Sequence, residues 1–522
     1  MRIGIDVGGT NTDAVLMSGR EVIAETKTPT TPDVTAGIEN ALAGLVEEAR
    51  FAPAEVQGVM IGTTHFVNAI VEARRLMPTA AVRLGLPATK ALPPMVDWPD
   101  RLRDALGNHV FLCHGGHEFD GREIAPLDEV QMKDVGRQIG DLGLRSIAIS
   151  SVFSPVNGEF EQRAADILEA EVPDAAISLS HEIGRMGLLE RENATIMNAC
   201  LRDLAEAIVN AFASALAAFG IRAPVYLSQN DGTLMDVEFA AKYPVATFAS
   251  GPTNSMRGAA FLSGLFDCAV VDIGGTTSDV GVLHKGFPRE ASTAVEISGI
   301  RTNFRMPDVY SFGLGGGSLV RLDGELSLGP ESVGYELTSR SRVFGGDELT
   351  ATDIAVAAGL ADLGDRDGAP NRQERIVKEG VALMERLVSE AVDRMRTSAD
   401  PIPAVIVGGG SILVGDRLAA ASEVVKPDHF AVANAIGAAI AQVGGEVERV
   451  FSLDQMSRDT ALSQAKSEAV AMAVDAGADE DTVEIVDIDE VPLSYLPSNA
   501  TRIRVKAVGD LNVQRERRAS SD

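Results

Sequence analysis

The sequence predicts an α/β protein built twice on one plan, with a small α+β module behind the second copy. Three observations carry this expectation. IGIDVGGTNTDAVLM (Ile3 to Met17) and VVDIGGTTSDVGVL (Val270 to Leu283) share an apolar strand, then Asp-x-Gly-Gly-Thr-x-(Thr/Ser)-Asp, then a second strand, so that Asp6 matches Asp272 and Thr10 matches Thr276. A third glycine cluster, Gly408-Gly409-Gly410, closes the apolar strand AVIV. Apolar β-branched runs bounded by glycine turns read as strands, and two matched copies imply a duplicated fold.

Each element follows from local pattern. MRIGIDVGG, DAVLM and EVIAETKT read as three strands, the first two joined by a glycine turn. The mixed stretch from Pro32 to Glu48 reads as a helix that returns the chain to the parallel strand GVMIGTT. From Met77 to about Gly143 the pattern weakens into LPATKALPPMVDWPD and CHGGHEFDGREIAP and reads as an insertion. Regular pattern resumes with the strand SIAISSVF, a helix from Gly158 to Glu171 and the short strand AISLS. An Ala-rich helix is expected from about Glu190 to Phe219, followed by the strand PVYLS, the turn QNDGT (Gln229 to Thr233) and a loop and helix in ATFASGPTNSMRGAAFLSG. The second copy ends with a helix of small residues, ANAIGAAIAQV. Beyond Arg449 an acidic, Ala-rich helix and the strands VEIVDIDEVPLSYL and TRIRVKAVG are expected, with ERRASSD as a disordered tail.

Composition excludes several classes. Among 522 residues, 46 Lys and Arg face 75 Asp and Glu, and a net charge of −29 repels phosphate backbones and anionic membranes, so neither a nucleic-acid nor a membrane partner is expected. Cys113, Cys200 and Cys268 lie far apart without CxxC spacing, which argues against a disulfide framework, a cysteine zinc site or a redox pair and fits a reducing cytoplasm. The opening MRIGIDVGG carries no signal-peptide pattern, and the apolar stretch Phe430 to Val443 is too short to cross a bilayer.

The duplicated motif carries the chemistry. Gly8-Gly9 and Gly274-Gly275 permit positive φ and let main-chain N–H groups crowd onto an anion with no β-carbon in the way. Hydroxyls of Thr10, Thr12, Thr276 and Thr277, with Asn11 between them in the first copy, can add donors to phosphate oxygens. Asp6 and Asp272, at strand ends, are suited to hold the waters of a Mg²⁺, without which an acid would repel phosphate. Gly408, Gly409 and Gly410 leave a flat surface for adenine and ribose. A single glycine turn is commonplace; two matched copies with a third cluster point to a nucleotide, the bland alternative being a fold that has lost it.

A strand followed by Asp-x-Gly-Gly-Thr, found twice with a later glycine motif, resembles the actin/sugar-kinase/Hsp70 superfamily, whose two RNase-H-like domains close around Mg-ATP. More narrowly, GIDVGGTNTDAV, GTTHFVNAI, ERENATIMNA, SGPTNSMRGA, VVDIGGTTSDVG, GLGGGS and GPESVG, with the C-terminal PLSYLPSNATRIRVKAVGD, resemble the hydantoinase A/5-oxoprolinase family. The resemblance implies ATP-dependent opening of a cyclic amide, a hydantoin, an oxoproline or a lactam, by phosphorylation of the amide oxygen. It also implies a second, hydantoinase B-type subunit, since no region of the chain corresponds to one. QNDGT departs from the Asn-Gly-Gly turn more usual in the family. Homo-oligomerisation is compatible with this picture. The rivals are a small-molecule kinase of the same superfamily and a non-catalytic subunit in which ATP switches a partner. The expected organisation is an N-terminal RNase-H-like domain over 1–185 with its insertion at about 77–143, a second domain over 186–448 made of a helical segment and the ATPase half, and a C-terminal module over 449–522.

Further candidates each have a structural alternative. Thr64 and His65 follow a strand and can face the cleft, or Thr64 can simply cap the next helix. Glu190, Glu192 and Asn193 open a helix whose dipole favours acids; otherwise Asn193 or Asn198 faces substrate. Asp231 suits its turn for local reasons. Gly315 and Gly316, within Gly313 to Gly317, can form a nest of N–H groups against substrate or merely a bend. His114 and His117 lie near Glu118 and Asp120, without a clear third ligand for a metal.

Overall fold

The computed structural model describes residues 1–31, 34–291, 294–371, 374–494 and 499–512; the tail ERRASSD lies outside them. The chain opens with β1 (Arg2–Val7), β2 (Asn11–Ser18) and β3 (Glu21–Pro29), then α1 (Val34–Ala49) and β4 (Gly58–Thr63). Ile3, Ile5, Val59 and Ile61 are fully buried, as befits strands covered on both faces. Val34, Ile38, Ala41, Leu42 and Leu45 form one stripe of α1 and bury against them. After α2 (His65–Glu72) an inserted parallel sheet follows, of β5 (Thr79–Leu86), β6 (His109–His114), β7 (Ser146–Ser151) and β8 (Ala176–Leu179) in the order β6-β5-β7-β8, with α3 (Glu159–Glu171) between the last two. Regular α/β structure therefore runs through the stretch whose pattern weakens in the sequence, and β7 and β8 belong to the same sheet.

The expected helix over Glu190 to Phe219 is two helices, α4 (Leu188–Cys200) and a second one over Arg202–Ala218, with Leu201 between them. β9 (Val225–Ser228) and β10 (Thr233–Asp236) rejoin the first sheet, and α5 (Ser250–Ser263) leads across to the second lobe. There β11 (Cys268–Ile273), β12 (Ser278–His284), β13 (Val309–Phe312), β14 (Ile402–Val407) and β15 (Ala421–Val425) are laid out as in the first lobe. The order β9-β4-β1-β2-β3 is repeated by β15-β14-β11-β12-β13, with the same alternation of parallel and antiparallel pairs. In both copies the aspartates of the motif pair across the hairpin, Asp6 with Asp13 and Asp272 with Asp279. This is the duplicated RNase-H-like unit that the motif predicts.

The chain then returns to the first lobe through α6 (Ala433–Ala439), which ends earlier than the run of small residues suggests because Gln442 already starts β16 (Gln442–Ser452). α5 lies on the second sheet and α6 on the first, and they cross at backbone contact. A β-carbon on Gly258 would stand 1.9 Å from Ala433 O, and one on Gly437 1.8 Å from Asn254 O. Small residues here let two helices meet between the lobes. After α7 (Arg458–Asp475), β17 (Glu484–Pro492) and β18 (Ala500–Gly509) extend the first sheet to nine strands, with β18 inside it, between β17 and β16. Among the described residues no helix is long and apolar enough to cross a membrane.

Candidate functional site

The two glycine turns have one geometry and face each other. Gly8 N donates to Asn11 O at 3.0 Å, and Gly274 N to Thr277 O at 2.9 Å. A β-carbon on Gly275 would lie 3.9 Å from Thr10 Cγ2, so the turns meet across the cleft. Thr10, Thr276 and Thr277 are at least partly open at its surface, whereas Thr12 is fully buried with its hydroxyl 3.4 Å from that of Thr30. Of the first copy's two threonines, only Thr10 is partly open at the surface.

The third cluster sits against the second turn. Gly410 N donates to Ile273 O at 2.7 Å, and Gly408, at φ +83°, passes so close that a β-carbon would stand 2.2 Å from Asp272 Oδ1. The loop Gly315 to Gly317 also packs on that turn. Gly315 N donates to Ser318 Oγ (2.9 Å), Gly316 N to Gly274 O (3.0 Å) and Gly317 N to Gly275 O (2.7 Å). With all three N–H groups taken, Gly315 and Gly316 buttress the turn instead of forming the expected nest for a substrate.

Asp6 and Asp272 end matching strands, and consecutive residues of α5 address them. Ser255 Oγ hydrogen-bonds Asp272 Oδ2, while Asn254 packs beside Asp6 at Gly62, whose β-carbon would touch both side chains. Asn434, at the start of α6, donates to Asp6 Oδ2 at 2.9 Å and to Asp13 Oδ2 at 2.8 Å. Asp13 is also paired with Lys27 at 2.7 Å. Burial, and then the charges of Asp13 and Asp272, push the Asp6 carboxyl up to about 7. Burial likewise raises Asp272 and pushes Asp279, which accepts from Ser311, up to about 6.

These carboxylates fit a cation. Asp6 is only 4% exposed, and among the described residues its Oδ1 and the amide of Asn254 lack hydrogen bonds of ordinary geometry, Asn254 being the weakest of the groups that act on the carboxyl. Poorly satisfied polar atoms this deep are costly, and carboxyls raised by burial and then by neighbouring acids are what a divalent ion would relieve. Among the described residues no three His, Cys, Asp or Glu side chains converge closely enough to enclose a metal. An ion here would thus be held by few carboxylates and by its own waters, as Mg²⁺ commonly is.

The remaining candidates divide. Thr64 stands at the N-cap of α2, but its hydroxyl accepts from no backbone N–H of the helix; it donates to Val7 O at 3.4 Å, beside the first turn, and accepts from Asn68 Nδ2 at 3.3 Å. His65 Nδ1 lies 2.7 Å from Thr63 Oγ1, and burial together with Arg75 lowers the imidazole to about 4, so it is neutral at pH 7. Asn193 has both ends of its amide occupied, by Trp98 Nε1 (2.7 Å) and Arg301 O (2.9 Å). Asn198 is buried against Ser178 and Lys242 O. Glu192 is no helix-end acid but half of a buried bidentate pair with Arg83. Asp231 pairs with Lys506 at 2.8 Å. His114 pairs with Gln131, and His117 with Asn157 and the ring of Phe160.

Sequence reasoning passed over Asp13 and Asp279, although both close the duplicated motif. It also passed over Asn254, Ser255 and Asn434. Their only sign was a polar residue inside a helix of small ones.

Comparison with known proteins agrees with the layout. A model of the hydantoinase/oxoprolinase N-terminal region matches residues 2–172, and the hydantoinase/oxoprolinase model matches residues 191–363. The chain is 29% identical over 390 residues to caprolactamase subunit alpha of Pseudomonas jessenii, covering 69% of this chain and 55% of that protein. It is 28% identical over 397 residues to the acetophenone carboxylase gamma subunit of Aromatoleum aromaticum, covering 68% and 53%. It therefore spans about half the length of these curated relatives. The solved ATP-dependent caprolactamase from Pseudomonas jessenii superposes with a TM-score of 0.79 at 21% identity, over 98% of this chain and 88% of that one, a likeness of fold.

Proposed function

Because the chain belongs to the hydantoinase/oxoprolinase family, we propose that it is the nucleotide-binding subunit of an ATP-dependent enzyme that opens a cyclic amide together with a second, hydantoinase B-type subunit. The observation that carries this reading is the meeting of Thr10 and Gly275 across the cleft, with Asp6 and Asp272 behind the two turns. A relative named caprolactamase supports the substrate class.

An unstrained amide resists water because resonance stabilises it and nitrogen leaves poorly. In the proposed reaction the amide oxygen attacks the γ-phosphorus of ATP, the bond to the β,γ-bridging oxygen breaks, and ADP departs. The O-phosphorylated amide has lost its resonance, and its carbon is open to water. Such chemistry asks a protein mainly for positioning and fixed charge. Gly9, Thr10 and Asn11 would hold phosphate oxygens from one lobe, and Gly275, Thr276 and Thr277 from the other, while Gly8 and Gly274 spend their own N–H groups on closing the turns. Gly408, Gly409 and Gly410 would carry the adenosine. Mg²⁺, held through water by Asp6 and Asp272, would supply positive charge against the triphosphate. Thr64 and the neutral His65 border the first turn, where the acceptor oxygen would approach.

The similar likeness to a carboxylase named for acetophenone favours a second reading, in which the oxygen phosphorylated belongs to a ketone. One experiment separates the readings: ATP turnover of the purified chain against hydantoins, lactams, 5-oxoproline and acetophenone, with and without the neighbouring gene product. Turnover that rises with a ring and the partner supports ring opening. A stable phosphorylated product without a partner would indicate a kinase, and turnover indifferent to every substrate an ATP switch.

A further inference from the structure

The two copies of the duplicated unit close one hairpin differently. In the first lobe β2 and β3 are joined by Gly19 and Arg20 alone. In the second lobe the chain between β12 and β13 is long, and residues 285–291 and 294–308 of it are described. Because β12 begins at the Gly274–Thr277 turn, this strap leaves the sheet at the opposite end. Its two arms pair, Ala291 N donating to Met306 O at 3.0 Å and Asp308 N to Arg289 O at 2.7 Å. At its tip Val295–Ile297 pairs with Ile300–Thr302 around Ser298 and Gly299, both at positive φ as a two-residue hairpin turn of this kind requires.

The tip is seated in the other lobe. Ile297, Ile300 and Phe304 are buried in the first lobe's core with Trp98 and Leu102 of the inserted region, and Phe304 meets Phe248 edge to face at 5.6 Å. Asn193 of α4, a substrate candidate in the sequence, serves the strap: it donates to Arg301 O at 2.9 Å while accepting from Trp98 Nε1 at 2.7 Å. Asn303 donates to Gly187 O at 3.1 Å. Charge holds the stem. Glu290 pairs with Arg185 at 3.1 Å and with Arg504 of β18 at 2.6 Å, and Arg305 with Glu448 of β16 at 3.4 Å. A segment of the second lobe is thus anchored at both tip and stem to the first.

Two bodies joined along one line swing about it. Joined at a second place, they swing only if that place yields. The backbone crossing of α5 and α6 is the first junction between the lobes, and the strap is a second, at the end of β12 remote from the glycine turn. We propose that the strap is a latch on lobe movement: the lobes swing apart at Thr10 and Gly275 only when the tip that carries Ile300 leaves its seat against α4. Close-packed apolar side chains do not slide by degrees, so the latch has two states, seated and released, and opening of the cleft is all-or-none. It acts whatever the cleft binds.

Lobe separation is measurable in the intact, nucleotide-free chain by pulsed electron resonance between spin labels on Glu47→Cys of α1 and Lys378→Cys of the second lobe, both exposed positions. Cys113, Cys200 and Cys268 are buried and stay unlabelled. The parent should give one narrow distance. Ile300→Asp puts a charge into the apolar seat, so it should add a second, displaced distance, and the amides of 294–304 should exchange hydrogen about tenfold faster or more. Asn193→Asp keeps the bond from Trp98 but sets a carboxylate against Arg301 O; it should act the same way more weakly, and it decides the matter if Ile300→Asp does not fold. Leu322→Asp, at an exposed position in the strand Ser318–Asp323, is the control and should leave the distance unchanged. The latch is overturned if the parent already shows a broad distribution of distances, or if the folded strap variants keep the parent's single distance. Failure of the ring-opening reading shows elsewhere, as ATP turnover that no cyclic amide raises, and would leave these distances unmoved.

Discussion

Asn434 holds Asp6: its Nδ2 donates to Asp6 Oδ2 at 2.9 Å while also reaching Asp13 at 2.8 Å, so one amide from the helix between the lobes steadies two acids of the first motif. Replacing it by leucine removes hydrogen bonds to charged groups worth about 1.5–3 kcal/mol and leaves two buried acids facing each other. Asn434→Leu should lower the urea midpoint by a comparable energy and weaken ATP binding. An unchanged midpoint and affinity would show the amide to be incidental.

Asp272→Ala removes the second lobe's carboxylate without touching the hydrogen bonds of β11. Circular dichroism and melting temperature should stay near those of the parent, and ATP turnover should vanish. Full turnover in that variant would remove Asp272 from the site.

The raised acids make a signed prediction. Asp6 keeps its proton to about pH 7 in the folded chain, whereas an unfolded aspartate loses it near pH 3.9. Between those values the folded state binds more protons, so this contribution to stability is present at low pH and lost as pH rises toward 7. The melting temperature of the parent minus that of Asp6→Asn should therefore fall between about pH 4 and 7. Added Mg²⁺ should reduce the fall. A difference that rises with pH would contradict the assignment.

Gly408 is a position where only glycine fits, since φ is +83° and the missing β-carbon would meet Asp272 Oδ1 at 2.2 Å. Gly264, at φ +72° with nothing within 4 Å, is the control. Alanine at 264 should cost only about 1 kcal/mol of backbone strain. Alanine at 408 should cost more in denaturant melts and should also reduce ATP affinity, because Asp272 must move.

The Arg83–Glu192 pair ties the inserted sheet to α4 with both side chains buried, at 0% and 3% exposure. Arg83→Met strands a buried carboxylate and should destabilise by about 3–5 kcal/mol. Adding Glu192→Leu should recover much of the loss, a coupling that urea titration of the two variants would measure.

The site was legible in the sequence wherever backbone conformation dictates residue type. Gly408 is required by its positive φ and close approach, whereas Gly8 and Gly274 take no positive φ and are tight only because a β-carbon would crowd a carbonyl at 3.1 and 3.2 Å; it is the repetition of their motif that announced the duplicated unit. The inserted sheet was less legible because β5 buries Arg83 in the middle of its apolar run and is followed by a proline-rich loop, which breaks the pattern of a buried strand. The division at Leu201 has no glycine or proline to mark it. Asn254, Ser255 and Asn434 were missed because their partners are hundreds of residues away or on another element, and no local spacing encodes such contacts. The buttressing by Gly315 to Gly317 was hidden for the same reason: a glycine run can donate to an anion or to a neighbouring turn, and only the fold decides.

The place of β18 has a consequence for biosynthesis. Arg2 begins a sheet whose interior row at Ala500–Gly509 leaves the ribosome only after both lobes have been made. Until then β16 presents an open edge, a template for pairing with other chains. Nascent protein halted before that row would be the species most prone to stick to its copies, and a chaperone that shields strand edges would act on it once both lobes have been made.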